Sequence, residues 1–473
     1  MRLIKLTLFA VIILICSCAE NKNSNQKNDE ISIIEASINK ASLRVGEVLR
    51  ENSWTISPDV NPDVWWVEVE EGETVKATFI TDLDSISFNI KLKESKDFSV
   101  ILNKKDTART RLKAVSKAAS FSKDYIKKYK GKYVVDNPET HELVNIMVAL
   151  TKSGRIDSNM VNMKTRYHKD VMNHFDKFSN HAIIDTLNRH IKGRFDNDSY
   201  WYYYNIRMNS NMYNFDTNNT IINKSPYTRL GFDKVNYLES LIPLINDFVE
   251  KSKYRTFYKE HKTYQDSLVK EYYRLADINK MWKWVETKFP NRYDSYKIYF
   301  SPLIGGAHAT QRFKDEGFKE TVMFINAPIF DDNYPDKSRE ADLTRIVFTE
   351  IDHNYVNPVT NKFSEINEIM QPLECWNKGA QGYSNGYATF NEYMTWAVFT
   401  LYLYDNFDTK TFNKHNKEEA DFMQNGRGFI RFLSFNDFVL DWYKENQSKS
   451  IIELYPVVIE WVKKQDCSVV SVE

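Results

Sequence analysis

Arg345-Ile-Val-Phe-Thr-Glu-Ile-Asp-His-Asn-Tyr-Val-Asn-Pro358 is the stretch on which the reading of the chain turns. Leu343, Ile346, Val347, Glu350 and His353 recur at spacings of three and four. Asp336, Ser338, Glu340 and Asp342 place capping and negative side chains ahead of them, and Pro358 marks a stop. The pattern predicts a helix whose partly apolar face ends in Glu350 and His353. Its centre, Thr349-Glu350-x-x-His353, differs by one residue from H-E-x-x-H. In that pattern two imidazoles one helical turn apart grip a zinc ion, and the glutamate takes a proton from the bound water. Thr349 stands where the first imidazole is required, and its hydroxyl is a weak neutral ligand for an ion that prefers imidazole, thiolate or carboxylate. A core helix that carries Glu and His near its end would read the same way.

Downstream, Tyr387-Ala-Thr-Phe-Asn-Glu-Tyr-Met-Thr-Trp-Ala-Val-Phe-Thr-Leu-Tyr-Leu403 is apolar nearly all round, which predicts a buried helix. Glu392 is its one formal charge. A lone buried carboxylate costs several kcal/mol unless it is paired, protonated or bound to metal. The alternative is a Glu that reaches solvent or an Arg from the helix end. Upstream, Tyr296–Pro302 and Glu320–Asn326 are strand-like around Gly305-Gly306-Ala-His308.

At 473 residues two or three domains are expected, and 42% hydrophobic with 14% aromatic residues is the composition of a folded chain. Lys plus Arg equals Asp plus Glu at 64 each, so no bulk charge draws the chain to nucleic acid. Residues 1–17 have a basic start, an apolar run from Leu6 to Ile15 and small or thiol residues, which reads as an export signal. Ile15-Cys16-Ser17-Cys18 resembles a bacterial lipobox, with Cys18 as the acylated first residue. The Asn-, Lys- and Ser-rich stretch after it, through residue 52, reads as a solvated tether. Ala19 lacks the acidic character of an inner-membrane retention signal, so lipid anchoring in the bacterial outer membrane or a periplasmic location is expected. Cys375 and Cys467 either pair in an oxidising compartment or stay buried and free.

Period-two runs such as Val75-x-Ala77-x-Phe79 and Ile86-x-Phe88-x-Ile90-x-Leu92 predict a small antiparallel β module over residues 53–115. A mainly helical domain follows over 116–473, so the fold class is α+β. Lys113–Lys132 reads as a basic amphipathic helix, and Asn209–Lys224 as an Asn-rich loop. His168, His174, His181 and His190, at spacings of six, seven and nine, do not share a helical face and do not predict a metal cluster. Trp65-Trp66, Trp201 and Tyr200–Tyr204 are candidates for sugar stacking or for core.

Several of these stretches together resemble a family of uncharacterised bacterial surface lipoproteins similar to gluzincin-type zinc metallopeptidases. They are His141-Glu-Leu-Val-Asn-Ile-Met-Val-Ala-Leu-Thr151, Lys169-Asp-Val-Met-Asn-His-Phe175, Ser301-Pro-Leu-Ile-Gly-Gly306, the Thr349–Pro358 motif with its Val356-Asn-Pro358 ending, and Asn391-Glu392. The resemblance spans about Pro138 to Trp461. It implies a zincin-like domain with Glu350 as general base and His353 and Glu392 as metal ligands. Thr349 marks a lost ligand position, and Trp396 stands where relatives carry an Arg. Zinc is therefore expected to be weak or absent, with His308 a conceivable replacement ligand; His308, Tyr383 and Tyr387 would equally serve as oxyanion donors or plain loop residues. The function expected is a lipid-anchored peptide- or protein-binding protein with a degenerate metallopeptidase site. The alternatives are an active metallopeptidase with a substituted ligand and a glycan-binding or structural surface protein.

Overall fold

The computed structural model describes residues 32–193, 196–328, 336–378 and 383–467. The segment read as an export signal, and Cys18 with it, lies outside the described residues. Eight strands come first: β1 (Ile33–Ala36), β2 (Lys40–Val45), β3 (Val48–Thr55), β4 (Asp63–Glu68), β5 (Thr74–Ile80), β6 (Ser85–Lys91), β7 (Ser95–Leu102) and β8 (Asp106–Val115). They form two four-stranded sheets, β1-β7-β8-β4 and β3-β2-β5-β6. Trp65 of β4 meets Phe79 of β5 at 4.5 Å between ring centroids, and Phe79 meets Phe98 of β7 at 5.0 Å, so aromatic side chains from both sheets fill the space between them.

This module is larger than the period-two pattern suggests. Residues 33–52, read as tether, supply β1, β2 and most of β3, and Ile34, Ala36, Ala41 and Leu43 are core. Their apolar alternation is only two or three residues long per strand, too short to stand out among the charged neighbours. The β3-β2-β5-β6 sheet is antiparallel throughout, whereas β1 pairs parallel to β7 and β4 parallel to β8 in the other.

Beyond Val115 helices dominate. The first set is α1 (Lys123–Tyr129), α2 (Glu139–Ala149), α3 (Arg166–Phe175), α4 (Ala182–His190), α5 (Asn197–Ser210), α6 (Ile242–Ser252), α7 (Tyr254–Glu260), α8 (Lys262–Leu275) and α9 (Ile278–Lys288). The second is α10 (Asp336–Thr360), α11 (Ile366–Ile369), α12 (Gly386–Asn406), α13 (Thr409–Asp421), α14 (Phe432–Glu445) and α15 (Ile451–Lys463). Between them runs a sheet of β9 (Lys132–Asp136), β12 (Ser295–Ser301), β13 (Ala309–Asp315) and β14 (Phe318–Asn326), ordered β13-β14-β12-β9; β10 (Tyr213–Phe215) and β11 (Ile221–Asn223) make a separate hairpin. The predicted helix over Lys113–Lys132 is thus only α1, flanked by the end of β8 and the start of β9. The Asn-rich loop carries the hairpin.

Alternation along the strands explains how one sheet serves two cores. Tyr296, Ile298, Phe300, Met323 and Ile325 join one apolar cluster with α9, α10, α12, α14 and α15. Val322, Phe324 and Phe313 join the other, with helices α2 to α6. Helices therefore cover both faces, which is why β12 and β14 are buried almost end to end. Among the described residues β13 has a neighbouring strand on one side only and forms one edge of the sheet, over α10. Among the described residues no helix is long and apolar enough to cross a membrane.

Candidate functional site

Helices α10 and α12 lie side by side, locked by Phe348 against Tyr402 at 4.5 Å and Phe399 at 5.9 Å. Asn385 caps α12 by accepting from the Ala388 N–H at 2.9 Å. The first turn of α12 comes so close to Asn367 that a Cβ on Gly386 would sit 2.7 Å from the Asn367 carbonyl oxygen. The packing brings His353 of α10 to Glu392 of α12, with Nε2 3.4 Å from Oε1. The other imidazole nitrogen lies 3.2 Å from both Asn357 Oδ1 and Thr395 Oγ1.

The second oxygen of Glu392 is occupied as well. Trp396, one turn along α12, donates its indole N–H to Oε2 at 3.1 Å, and Arg427 donates to the same oxygen at 2.9 Å. Arg427 follows a π turn, Phe422–Gly426, and precedes Gly428, whose φ of 82° turns the chain back where a residue with Cβ would be strained. Its guanidinium lies against the rings of Tyr383, Trp396 and Phe429 and donates to the Tyr383 hydroxyl at 2.7 Å. Side-chain exposures of 18% for His353 and 22% for Arg427, against 6% for Glu392, mean that solvent reaches the cluster past the imidazole and the guanidinium.

Burial alone would raise the Glu392 carboxyl, but the charges of Arg427 and His353 and their hydrogen bonds hold it down at about 2. Burial would lower His353; the hydrogen bond to Glu392 and the charges of Glu392 and Glu350 outweigh it and raise the imidazole above its ordinary value. Glu350, one turn before His353, is pushed up to about 7, mainly by burial and further by the Glu392 charge. Asp352 is fully buried with neither oxygen hydrogen-bonded, and burial raises it well above the usual carboxylate range.

These residues do not fit a three-ligand zinc centre. The 3.4 Å between His353 and Glu392 matches the separation of about 3.4 Å that two ligands bonded at about 2.1 Å take around a tetrahedral ion. A third ligand is missing. Thr349 donates its hydroxyl proton to the Arg345 carbonyl at 2.9 Å, within its own helix. Among the described residues, the one set of three His, Cys or carboxylate ligand atoms within 4.8 Å of one another is Asp342, His415 and Glu419, which excludes Glu350 and His308 from such a set with His353 and Glu392. The positive charge that Glu392 requires comes instead from Arg427. Glu392 itself announced the need for a partner; nothing in the Gln424-Asn-Gly-Arg-Gly428 loop marked Arg427 as that partner, and Trp396 was visible only as the absence of an Arg.

His308 follows a loop clamped onto residues 158 and 159: a Cβ on Gly305 would meet the Ser158 carbonyl oxygen at 2.2 Å, and Ala307 N–H donates to the Asn159 carbonyl at 3.0 Å. Burial and the charges of Arg207 and Arg345 hold its imidazole at about 3. Tyr387 donates to the Ser364 carbonyl at 3.0 Å. His174 and His181 make separate contacts, to the Ser252 carbonyl and to Asp247. Trp65 and Tyr203 are core, whereas Trp201 is 47% exposed and lines a groove of about 490 Å³ with Phe232, Asp233 and Tyr237. Cys375 and Cys467 are joined by a disulfide. No family model, curated protein or solved structure matches this chain.

Proposed function

We propose that the chain is a lipid-anchored bacterial surface protein that binds peptide or protein segments, in a site derived from a zincin-like metallopeptidase whose metal centre has degenerated. The observation that carries this is Arg427 on Glu392 beside His353: general base and two ligand positions persist, and a guanidinium supplies the charge that an ion otherwise would. The edge of β13, which no strand pairs with among the described residues, supports it. Thr310 Oγ1 on that strand lies 3.4 Å from Asn354 Nδ2, next in sequence to His353, and an exposed edge accepts an extended peptide through main-chain hydrogen bonds. Arg427 and His353 would favour a segment carrying a carboxylate. The Cys375–Cys467 bridge accords with an oxidising compartment, such as the periplasm or cell surface.

The test is a peptide library incubated with wild type, Glu350→Gln and Arg427→Met, scored for both retention and cleavage. The expected result is retention without cleavage, at least tenfold weaker in Arg427→Met. Cleavage that disappears in Glu350→Gln would establish instead a working peptidase with a substituted ligand. The groove at Trp201 favours a second reading, sugar binding, because an exposed indole beside an acid suits a pyranose face. A glycan-array signal lost in Trp201→Ala supports that reading, and its absence removes it.

A further inference from the structure

A second group of ligand-type side chains lies between α10 and α13, joined to the Glu392 cluster through Arg345, which stacks on Trp396. His415 and Glu419 are one turn apart on α13 and so share a face, and Asp342 on α10 looks toward them. One ligand atom from each falls within 4.8 Å of the others. His415 is 2% exposed and Glu419 8%. Asp408 caps α13 by accepting from the Lys410 and Thr411 N–H groups, which fixes the register in which the two side chains emerge.

Their spacing is that of ligands rather than of hydrogen-bonded groups. The carboxylate oxygens nearest His415 Nδ1 are Asp342 Oδ1 at 3.7 Å and Glu418 Oε2 at 4.0 Å, both too long for hydrogen bonds. The 3.7 Å is close to the separation of about 3.4 Å between two ligands on a tetrahedral ion. Buried Glu419 Oε2 has no hydrogen-bond partner, although buried polar atoms are rarely left without one. Arg345 lies 3.2 Å from the other Glu419 oxygen, Oε1, so it holds the carboxylate from one side and leaves Oε2 for a ligand. Asp342, with 40% of its side chain exposed, is where solvent enters.

We propose that Asp342, His415 and Glu419 bind one divalent transition-metal ion of the zinc class, which ties α13 to α10. One imidazole and two carboxylates are a donor set that zinc accepts, and the exposed side leaves a position for water. The site shares no ligand with the His353–Glu392 cluster, although Arg345, which stacks on Trp396, links the two.

The experiment is a titration of tag-free, chelator-treated full chain with Zn²⁺ by calorimetry, repeated with Co²⁺ to read the visible absorption of a low-coordinate site. The expected result is one equivalent bound by wild type, with affinity at least tenfold lower in both Glu419→Gln and His415→Ala and unchanged in His353→Ala. Glu419→Gln keeps the side-chain shape, and circular dichroism verifies that each variant is folded. No binding by wild type, or binding that survives both α13 variants, overturns the proposal; so does binding lost only in His353→Ala.

Discussion

Replacing Arg427 with Met removes the guanidinium from Glu392 while keeping much of its apolar length. In the native protein Glu392 is held at about 2 against an ordinary 4.5. At 1.36 kcal/mol per pKa unit this depression is worth about 3 kcal/mol. The sign follows from the direction: a depressed carboxyl contributes fully above its unfolded value and loses that contribution as pH falls toward its folded value. Breaking a buried pair on one side costs about 3–5 kcal/mol by an independent route, so the two magnitudes agree. Arg427→Met is therefore expected to lose about 3 kcal/mol at pH 7, and the gap to wild type should narrow to roughly half by pH 3. Guanidinium chloride unfolding of both proteins at the two pH values measures it. A loss below about 1 kcal/mol at pH 7, or a gap that does not change with pH, refutes the placement of Arg427 as the principal counter-charge.

Glu350 makes the opposite prediction. Its carboxyl is raised to about 7, so the unfolded chain ionises first and stability falls as pH rises from about 4.5 to 7. Glu350→Gln removes that loss: it should match wild type at pH 4 and exceed it by up to about 3 kcal/mol at pH 8, as read from denaturant midpoints. The Cys375–Cys467 bridge closes a sequence separation of 92 residues, for which the chain-entropy relation gives about 4–5 kcal/mol. Cys467→Ser should lose that amount in urea without reductant, and wild type should fall to the same midpoint once reduced.

The helices that build the site were legible because their signals are local and redundant. Three- and four-residue spacing, acidic residues at the start and Pro358 near the end define α10, and an all-round apolar run defines α12. Glu392 as the lone charge in that run gave the strongest hint of chemistry, because its burial demanded a partner. The partner's identity was not legible: Arg427 comes from a separate loop 35 residues on and is placed by a π turn and Gly428, neither of which has a periodic signature. β9 and β13 were hidden for a related reason. Lys132-Tyr-Val-Val-Asp136 borders a basic helix, and Ala309-Thr-Gln-Arg-Phe-Lys-Asp315 is polar along much of its length because it is an edge strand. His415 and Glu419 sit on a charged helix where nothing in sequence connects them to Asp342, more than seventy residues earlier.

The most direct measurement of the central claim is zinc binding by the Thr349→His, Arg427→Met double variant, compared with wild type and with the same double variant carrying His353→Ala. If a guanidinium has replaced an ion at a degenerate metallopeptidase site, the double variant gains one further equivalent of zinc, and His353→Ala abolishes that gain. No additional zinc in the double variant, or a gain indifferent to His353, contradicts the account.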